Sequence, residues 1–364
     1  MKYVSLPSLT LGGLLLSACG KDAAEPAAAV KIAWISKGRC NSFFDISRFG
    51  ARLASQDLGS SAVDLEFFEP DDCQGSEPKV PVVPEECAPA ALQMGKVDEA
   101  IQSGADAIAI TVLNPACLTP LLDHAVDRGT KVITFDSDAP DSSRDVYYGM
   151  DGRAAARLGV KTLARLIGET GTIAVQTAMS KDAEGVHHLS TSSSYVDRLA
   201  GIEDELAEHP GLELVATVPC IGNDVADPAC ALELEALLSE HPDLSGLVLS
   251  RGKVLRETEL ARNAPRFTAA MQEGRIHTVA FDAPDDALPS LAAGYADLVI
   301  AQKQFGWGYD VVRLADAMVR DGDAPPAFYD SGWYAVCANN LEEYATMWRE
   351  QDFRAELPAC DLLE

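Results

Sequence analysis

The chain carries few positive charges and few histidines. Lys and Arg together number 29, against 56 Asp and Glu and 6 His, which gives a formal net charge of −27 at pH 7. A surface of this sign repels the phosphate backbone of nucleic acids and anionic lipid headgroups, so we expect no nucleic-acid partner. Because whole-surface charge mainly governs solubility, it says little about the ligand of a particular site.

Several motifs of enzymes and metal centres are also missing. The sequence has no GxGxxG or GxxxxGK phosphate-binding motif, no Gly-x-Ser-x-Gly context around Ser192–Ser194, and no CxxC. The adjacent His187 and His188 would point in opposite directions on a strand, and no third ligand lies at a useful spacing. We therefore predict a protein without a metal and without a cofactor.

The N-terminus has the features of an export signal. Lys2 is followed by an apolar stretch that ends in Leu16-Ser17-Ala18-Cys19. This arrangement resembles a bacterial lipoprotein signal, in which residues 1–19 form the signal and Cys19 carries lipid. The alternative is an ordinary signal or anchor with a coincidental cysteine. The Ala-rich residues 20–29 are typical of a tether, so we predict an exported, lipid-anchored protein of the cell envelope.

Eight cysteines remain besides Cys19, and an even number in an oxidising compartment indicates disulfides. One pair brackets a Pro- and Glu-rich insert, one brackets a short Gly-Asn-Asp loop, and one could hold the C-terminal tail. Elimination pairs the last two, which follow the first and third predicted strands. The predicted disulfides are Cys73–Cys87, Cys220–Cys230, Cys337–Cys360 and Cys40–Cys117.

From Val30 onward, short apolar runs alternate with amphipathic stretches, and 364 residues are too many for one core. This alternation indicates parallel sheets with helices on both faces, and the pattern restarts after Asp151. We predict an α/β protein of two doubly wound parallel-sheet lobes. Predicted strands cover 30–36, 63–68, 105–113, 131–135, 172–176, 212–218, 246–249, 277–281 and 296–300, and predicted helices cover 44–58, 90–103, 118–128, 154–167 and 194–208.

Ligands of such sheets bind beyond the carboxyl ends of the strands, and two facing lobes would place those ends around one cleft. The residues that follow the predicted strands include amides, carboxylates, a guanidinium group and two adjacent aromatic rings. This mixture suits a polyhydroxylated ligand, because buried hydroxyls need partners and the C–H faces of sugars pack on rings. The candidates are Asn41, Phe43, Phe44, Thr111, Asp136, Asp138, Arg251, Asp282 and Gln302.

Two of these candidates have open alternatives. Asp136 and Asp138 could be the acid and base of a hydrolase, although their position after a strand favours binding, with Asp138 capping the turn. Arg251 could bind a ligand carboxylate or phosphate, or it could pair with a surface acid.

The order and spacing of several segments resemble the periplasmic solute-binding proteins of the ribose/galactose-binding type. The segments are Lys31–Gly38 with Asn41–Phe44, Gly104–Ile110, Val132–Pro140 with Tyr148–Asp151, Arg198 with Gly201, Phe281-Asp282, and Gln302 through Tyr309. The resemblance implies that Asn41, Asp136, Asp282 and Gln302 hydrogen-bond sugar hydroxyls and that Phe43 and Phe44 stack on the sugar. Two departures are Ser42, where proline is usual, and Ser250-Arg251, where an Asn-Asp pair is common.

The resemblance also implies a binding protein of an ABC importer, not an enzyme. An N-terminal lobe of residues 30–150 and 303–325 would join a C-terminal lobe of residues 151–302 and 326–364 through three crossings, the last at Pro325-Pro326. A monosaccharide would close the lobes of a monomer, and a membrane permease would recognise the closed form. The alternative partner is a sensor kinase or chemoreceptor.

Overall fold

The computed structural model describes residues 28–73, 79–181, 186–221 and 228–364. The predicted signal segment with Cys19, the tether up to residue 27, and parts of two cysteine-bracketed loops lie outside the described residues. Within the described ranges, no helix combines the length and the apolar character needed to cross a membrane.

The N-terminal lobe is built on a six-stranded sheet in which all neighbouring strands are parallel. Its strands are β1 (Val30–Ile35), β2 (Val63–Phe67), β3 (Ala107–Ile110), β4 (Lys131–Phe135), β5 (Val146–Gly149) and β12 (Phe328–Asp330). Its helices are α1 (Asp45–Leu58), α2 (Ala91–Gln102), α3 (Pro115–Asp127) and α10 (Gly306–Arg320). The order across the sheet is β12-β5-β4-β3-β1-β2. All four residues of β3 are buried, as expected for a strand covered by helices on both faces.

The C-terminal lobe is built on a seven-stranded sheet that is parallel except for two antiparallel pairings, of His187–Leu189 with Gly171–Lys181 and of Trp333–Cys337 with Leu298–Gln302. Its strands are β6 (Gly171–Lys181), β7 (His187–Leu189), β8 (Leu212–Cys220), β9 (Leu244–Leu249), β10 (His277–Phe281), β11 (Leu298–Gln302) and β13 (Trp333–Cys337). Its helices are α4 (Gly152–Leu166), α5 (Ser193–Glu208), α6 (Ala229–Glu240), α7 (Leu260–Asn263), α8 (Pro265–Gln272), α9 (Leu288–Ala292) and α11 (Leu341–Glu350).

Side-chain caps fix where two of the helices begin. The Asn114 side chain accepts a hydrogen bond from the Cys117 amide, and Pro115 takes the first helical position of α3. Asp151 caps α4 by accepting from the Ala154 amide at 2.9 Å. This second cap lies directly after β5, so α4 begins as the chain enters the C-terminal lobe.

Three crossings join the lobes, from β5 to α4, from β11 to α10, and from β12 to β13. The third crossing, predicted at Pro325-Pro326, lies instead at Ser331-Gly332, because β12 pairs with β5 in the N-terminal sheet. The rings of Phe328 and Tyr329 stack on Tyr147 and Tyr148, with centroids 5.5 and 5.1 Å apart. The predicted boundary is corrected accordingly, and residues 326–330 belong to the N-terminal lobe.

Four disulfides connect the eight remaining cysteines, and the predicted pairing is half right. The structure confirms Cys220–Cys230 and Cys337–Cys360. It exchanges the other four partners: Cys40 pairs with Cys73, and Cys87 pairs with Cys117. Cys73 and Cys87, at the two ends of the insert, are each joined to a cysteine outside it, Cys73 to the segment after β1 and Cys87 to helix α3, rather than to each other. The prediction of Cys40–Cys117 and Cys73–Cys87 was therefore wrong.

Candidate ligand-binding cleft

A cleft of about 460 Å³ lies between the two lobes, at the carboxyl ends of their strands. Its lining contains side chains from both lobes, including amides, carboxylates, guanidinium groups and aromatic rings. The structure brings seven of the nine predicted residues into this lining: Asn41, Phe43, Phe44, Asp136, Arg251, Asp282 and Gln302.

Asp136 directly follows β4 and has a left-handed backbone, with φ of 59°. Aspartate tolerates this region better than most residues, and the Tyr147 hydroxyl supports it by donating to the Asp136 carbonyl oxygen at 3.0 Å. One carboxylate oxygen, Oδ2, accepts from Lys37 Nζ at 2.9 Å, Thr111 Oγ1 at 2.7 Å and Ser137 Oγ at 3.1 Å. Within the described chain no hydrogen bond reaches Oδ1, so this oxygen can accept from a ligand hydroxyl.

Asp136 is ionised although it is buried. Only 4% of the residue is exposed. Burial raises its pKa, but the Lys37 ammonium and the Thr111 hydrogen bond outweigh that effect and lower the pKa below its ordinary value. The carboxylate is therefore ionised at neutral pH and is a strong acceptor for hydroxyl groups.

Asp282 occupies the corresponding position in the C-terminal lobe, directly after β10, with φ of 67°. Arg198 of α5 donates to both of its oxygens, at 3.0 Å from Nη1 and 3.1 Å from Nη2. Gln302, the last residue of β11, donates to Oδ1 at 2.8 Å. The Arg198 guanidinium also lies 4.5 Å from the centroid of the Phe281 ring. This bidentate pair is buried, which orients the Asp282 carboxylate at the cleft surface.

Hydrogen bonds cross the cleft between the lobes through a run of serines at the start of α5. The Asp138 amide donates to Ser193 Oγ at 2.6 Å. Ser137 Oγ lies 2.8 Å from Ser192 Oγ and 3.1 Å from Ser194 Oγ. Ser137 and Asp138 belong to the N-terminal lobe, and the three serines belong to the C-terminal lobe. These contacts therefore belong to a closed arrangement of the lobes.

Phe43 and Phe44 form the aromatic part of the N-terminal wall. Their rings meet edge to face at a centroid distance of 5.4 Å, and both lie near the buried Trp307 ring. Phe44 is buried and Phe43 is half-buried. Asn41 caps the short turn that carries both rings, because its side-chain oxygen accepts from the Phe43 amide at 3.1 Å. Asn41 also lines the cleft.

Two predicted residues lie outside the cleft lining. Thr111 is fully buried and supports Asp136 through its hydroxyl. Asp138 turns away from the cleft, where Arg144 binds both of its carboxylate oxygens and the Thr134 hydroxyl donates to one of them at 2.6 Å. Protein partners occupy both side chains, so neither is placed for direct ligand contact. Asp138 instead accepts from the Ala139 amide at 2.8 Å, which is the predicted capping of the turn.

Arg251 lines the cleft beside a close contact between two loops. Its Nη1 donates to the Cys220 carbonyl oxygen at 3.3 Å. The next residue must be glycine, because a Cβ at Gly252 would collide with the carbonyl oxygens of Phe281 and Asp282. Gly252 thus lets the Arg251 loop lie directly against the backbone that presents Asp282.

Comparison with known proteins identifies this architecture. A family model described as a periplasmic binding protein domain matches residues 32–324. The chain belongs to this family. The fold class predicted from the sequence is confirmed, since solved structures of the same two-lobed α/β type superpose on most of the chain.

Two curated proteins resemble this periplasmic binding protein. A D-ribose/D-allose-binding protein of Pseudomonas aeruginosa is 27% identical over 211 residues, which is 56% of this chain and 59% of that protein. A xylose/arabinose-binding protein of Sulfolobus acidocaldarius is 21% identical over 277 residues, which is 71% of this chain and 63% of that protein. The chain therefore matches about three fifths of the length of each.

A solved structure gives a fuller match. The ABC transporter solute-binding protein of Burkholderia graminis, in complex with D-arabinose, is 25% identical with a TM-score of 0.72. The match covers 88% of this chain and 99% of that protein. The proteins named in these comparisons are binding proteins and transporter components, which agrees with the prediction that this family member is not an enzyme.

Sequence reasoning missed several residues that line the cleft of this periplasmic binding protein. Lys37 stands in the segment after β1 and Arg198 is part of the family resemblance, but neither is among the predicted ligand-binding residues. The Ser192–Ser194 run was examined only as a nucleophile. A usable signal existed for Lys37, because it follows the first strand as Asp136 follows the fourth. For Arg198 the signal is its place in the family resemblance, because strand-end position does not mark it and its partner Asp282 lies 84 residues away.

Proposed function

We propose that this protein captures a monosaccharide or a similar small polyol between its lobes. The observation that carries the proposal is the pair of strand-end carboxylates, Asp136 and Asp282, one from each lobe and each paired with its own cation. Carboxylates held in this way accept hydrogen bonds from sugar hydroxyls, which bulk water otherwise satisfies. The half-buried Phe43 ring supplies an apolar face for sugar C–H groups.

Ligand binding needs only a movement of the two lobes and no chemical step. A ligand that bridges Asp136 and Asp282 makes its full set of contacts only when the lobes are closed. It therefore shifts the open–closed equilibrium by the difference in its affinity for the two arrangements. The serine contacts to Ser137 and Asp138 form in the same arrangement, so they add to the stability of the ligand-bound state.

Delivery to an ABC importer is the role that the relatives' names support for the closed form. The Burkholderia graminis protein solved with D-arabinose, which is 25% identical to this chain, is named as the solute-binding protein of an ABC transporter. We further propose that the mature chain begins at a lipid-bearing Cys19 and is held at the membrane surface of the cell envelope. Mass spectrometry of the membrane fraction should find lipid on Cys19, and a Cys19→Ala variant should leave that fraction.

A thermal-shift screen tests the ligand class. The chain from Gly20 onward would be heated with pentoses, hexoses, polyols, sugar acids and amines. A ligand present at 100 times its dissociation constant stabilises the native state by about 2.7 kcal/mol, which gives a clear shift in Tm. A shift with a neutral sugar or polyol is expected. Shifts with charged compounds alone would contradict the proposed ligand class.

A further inference from the structure

The chain after α11 forms a strap, defined here as residues 351–360, that is fixed to the C-terminal lobe at several points. At its start, the Asp352 amide donates to the Met347 carbonyl oxygen at 3.1 Å. The Tyr334 hydroxyl then donates to the Phe353 carbonyl oxygen at 3.0 Å. At its end, Cys360 forms the disulfide with Cys337. The strap therefore moves with the C-terminal lobe.

The middle of the strap contacts helices of the other lobe. The Arg354 guanidinium lies 4.4 Å from the centroid of the Tyr309 ring in α10, and its Nη2 lies 3.6 Å from Asp57 Oδ2 in α1. The same Asp57 oxygen accepts from the Tyr309 hydroxyl at 2.8 Å. The Phe353 ring stacks on Phe305 with centroids 5.8 Å apart. None of these residues lines the ligand cleft.

We propose that Arg354 is a positioning residue that holds the lobes closed from outside the cleft. Arg354 and its partners Tyr309 and Asp57 belong to different lobes, so rotation about the three crossings changes their separation. Contacts between residues of the same lobe do not change in this rotation. An interaction that is present in the closed arrangement and weakened in the open one biases the equilibrium between them. Its consequence for ligand affinity rests on the proposed function, whereas its effect on closure does not.

Closure can be measured on the protein without any ligand. Ser137 Oγ and Ser192 Oγ lie 2.8 Å apart on opposite lobes. Cysteines at these two positions will form a disulfide when the cleft closes, so the oxidation rate follows the closed population even when that population is small. The rate would be compared in the Ser137→Cys/Ser192→Cys protein and in the same protein carrying Arg354→Ala, Tyr309→Leu or both.

Arg349→Ala is the matched control. Arg349 lies on α11 of the same lobe and pairs with Glu342 of its own helix at 2.6 Å. Its side chain is 58% exposed, against 56% for Arg354. The two substitutions therefore remove the same charge from similarly exposed positions, but only one of them removes a contact between the lobes.

Arg354→Ala should slow the oxidation roughly threefold to tenfold, the size expected for a partly exposed cation over an aromatic ring. Tyr309→Leu should slow the oxidation by a similar factor. The double variant should be little slower than either single variant, because each single substitution already removes the contact between Arg354 and the Tyr309 ring. An unchanged rate in Arg354→Ala, or an equal slowing in Arg349→Ala, would overturn the proposal.

A second readout avoids the added cysteines. Small-angle X-ray scattering of the otherwise natural chain should give a larger radius of gyration for Arg354→Ala than for Arg349→Ala. If these two variants have equal radii and equal oxidation rates, the inference is overturned. If closure slows in Arg354→Ala but no sugar binds the parent protein, the strap inference stands and the proposed function fails. If a sugar does bind, its affinity should fall in Arg354→Ala by the same factor as the oxidation rate.

Discussion

Asp136 and Asp282 occupy equivalent positions in the two lobes: each follows a phenylalanine at the end of a strand, and each has a left-handed backbone. Each is also held by a cation from elsewhere in its own lobe, Lys37 for Asp136 and Arg198 for Asp282. The cleft is therefore built on two similar carboxylate–cation units that face each other.

Replacing Lys37 should change how stability depends on pH. In the natural protein the pKa of Asp136 lies below its ordinary value of 3.8, so its stabilising contribution is present above that ordinary value and is lost as pH falls through the lowered pKa. In Lys37→Met the burial effect is no longer offset by the ammonium, so the pKa of Asp136 rises and its ionised form destabilises the fold at neutral pH. The difference in unfolding free energy between the two proteins should shrink as pH falls from 7 to 4, measured by denaturant titration.

Lys96→Met is the control for the Lys37 variant, because Lys96 pairs with Glu99 on the surface of α2. It should give a small difference at every pH. A Lys37→Met difference that does not vary with pH would show that the ammonium does not control the ionisation of Asp136.

Breaking the Arg198–Asp282 pair should destabilise the C-terminal lobe. Arg198 is 1% exposed, so Asp282→Asn leaves a buried guanidinium without its counter-charge. Removing one partner of a buried pair costs about 3–5 kcal/mol, and chemical denaturation should detect a loss of this size. Asp204→Asn breaks the surface pair with Arg153, whose side chain is 58% exposed, and should lower the free energy of unfolding far less. Equal losses in the two variants would argue against a special role for the buried pair.

Much of the fold was predictable because its signals are local. The buried strands are short apolar runs, and β4 and β10 were predicted with the bounds that the structure has. The exposed three-residue strands β7 and β12 were not predicted, because their residues show no burial pattern and their pairing depends on distant strands. The misplaced third crossing has the same cause.

Site residues that end a strand or directly follow one could be predicted from the sequence. Side chains whose direction depends on packing could not. Asp136, Asp282 and Gln302 follow or end strands, and the structure places all three at the cleft. Asp138 follows the same strand but turns toward Arg144, which a spacing argument cannot detect. The partners of Cys40 and Cys87 likewise depend on the path of the insert in three dimensions.

Removing the Ser193 hydroxyl should loosen the closed arrangement. Ser193 Oγ accepts from the Asp138 amide across the cleft, so Ser193→Ala leaves that amide without its partner in the closed state. Ligand affinity should fall about threefold to tenfold, the range for one hydrogen bond. Stopped-flow fluorescence should find most of the change in the dissociation rate, because the contact forms only after closure. The exposed Ser60→Ala is the control, and an unchanged dissociation rate in Ser193→Ala would remove this contact from the mechanism.

The disulfide pairing gives a prediction that is independent of any ligand. Proteolysis of the unreduced protein followed by mass spectrometry should yield peptides joined through Cys40–Cys73 and Cys87–Cys117, besides the two pairs of the C-terminal lobe. Peptides joined through Cys73–Cys87 would contradict the pairing of Cys73 with Cys40 and of Cys87 with Cys117.

Binding between the two carboxylates is tested most directly by calorimetric titration, into the natural protein and into Asp136→Ala, of the sugar that the thermal-shift screen finds. Asp141→Ala serves as the matched control, since Asp141 is an exposed carboxylate in the turn that follows β4. We expect one sugar per chain and a loss of about 1.5–3 kcal/mol in binding free energy for Asp136→Ala, because the ligand loses a charged acceptor, with no change for the control. Unchanged affinity in Asp136→Ala would show that the ligand does not bind between these carboxylates.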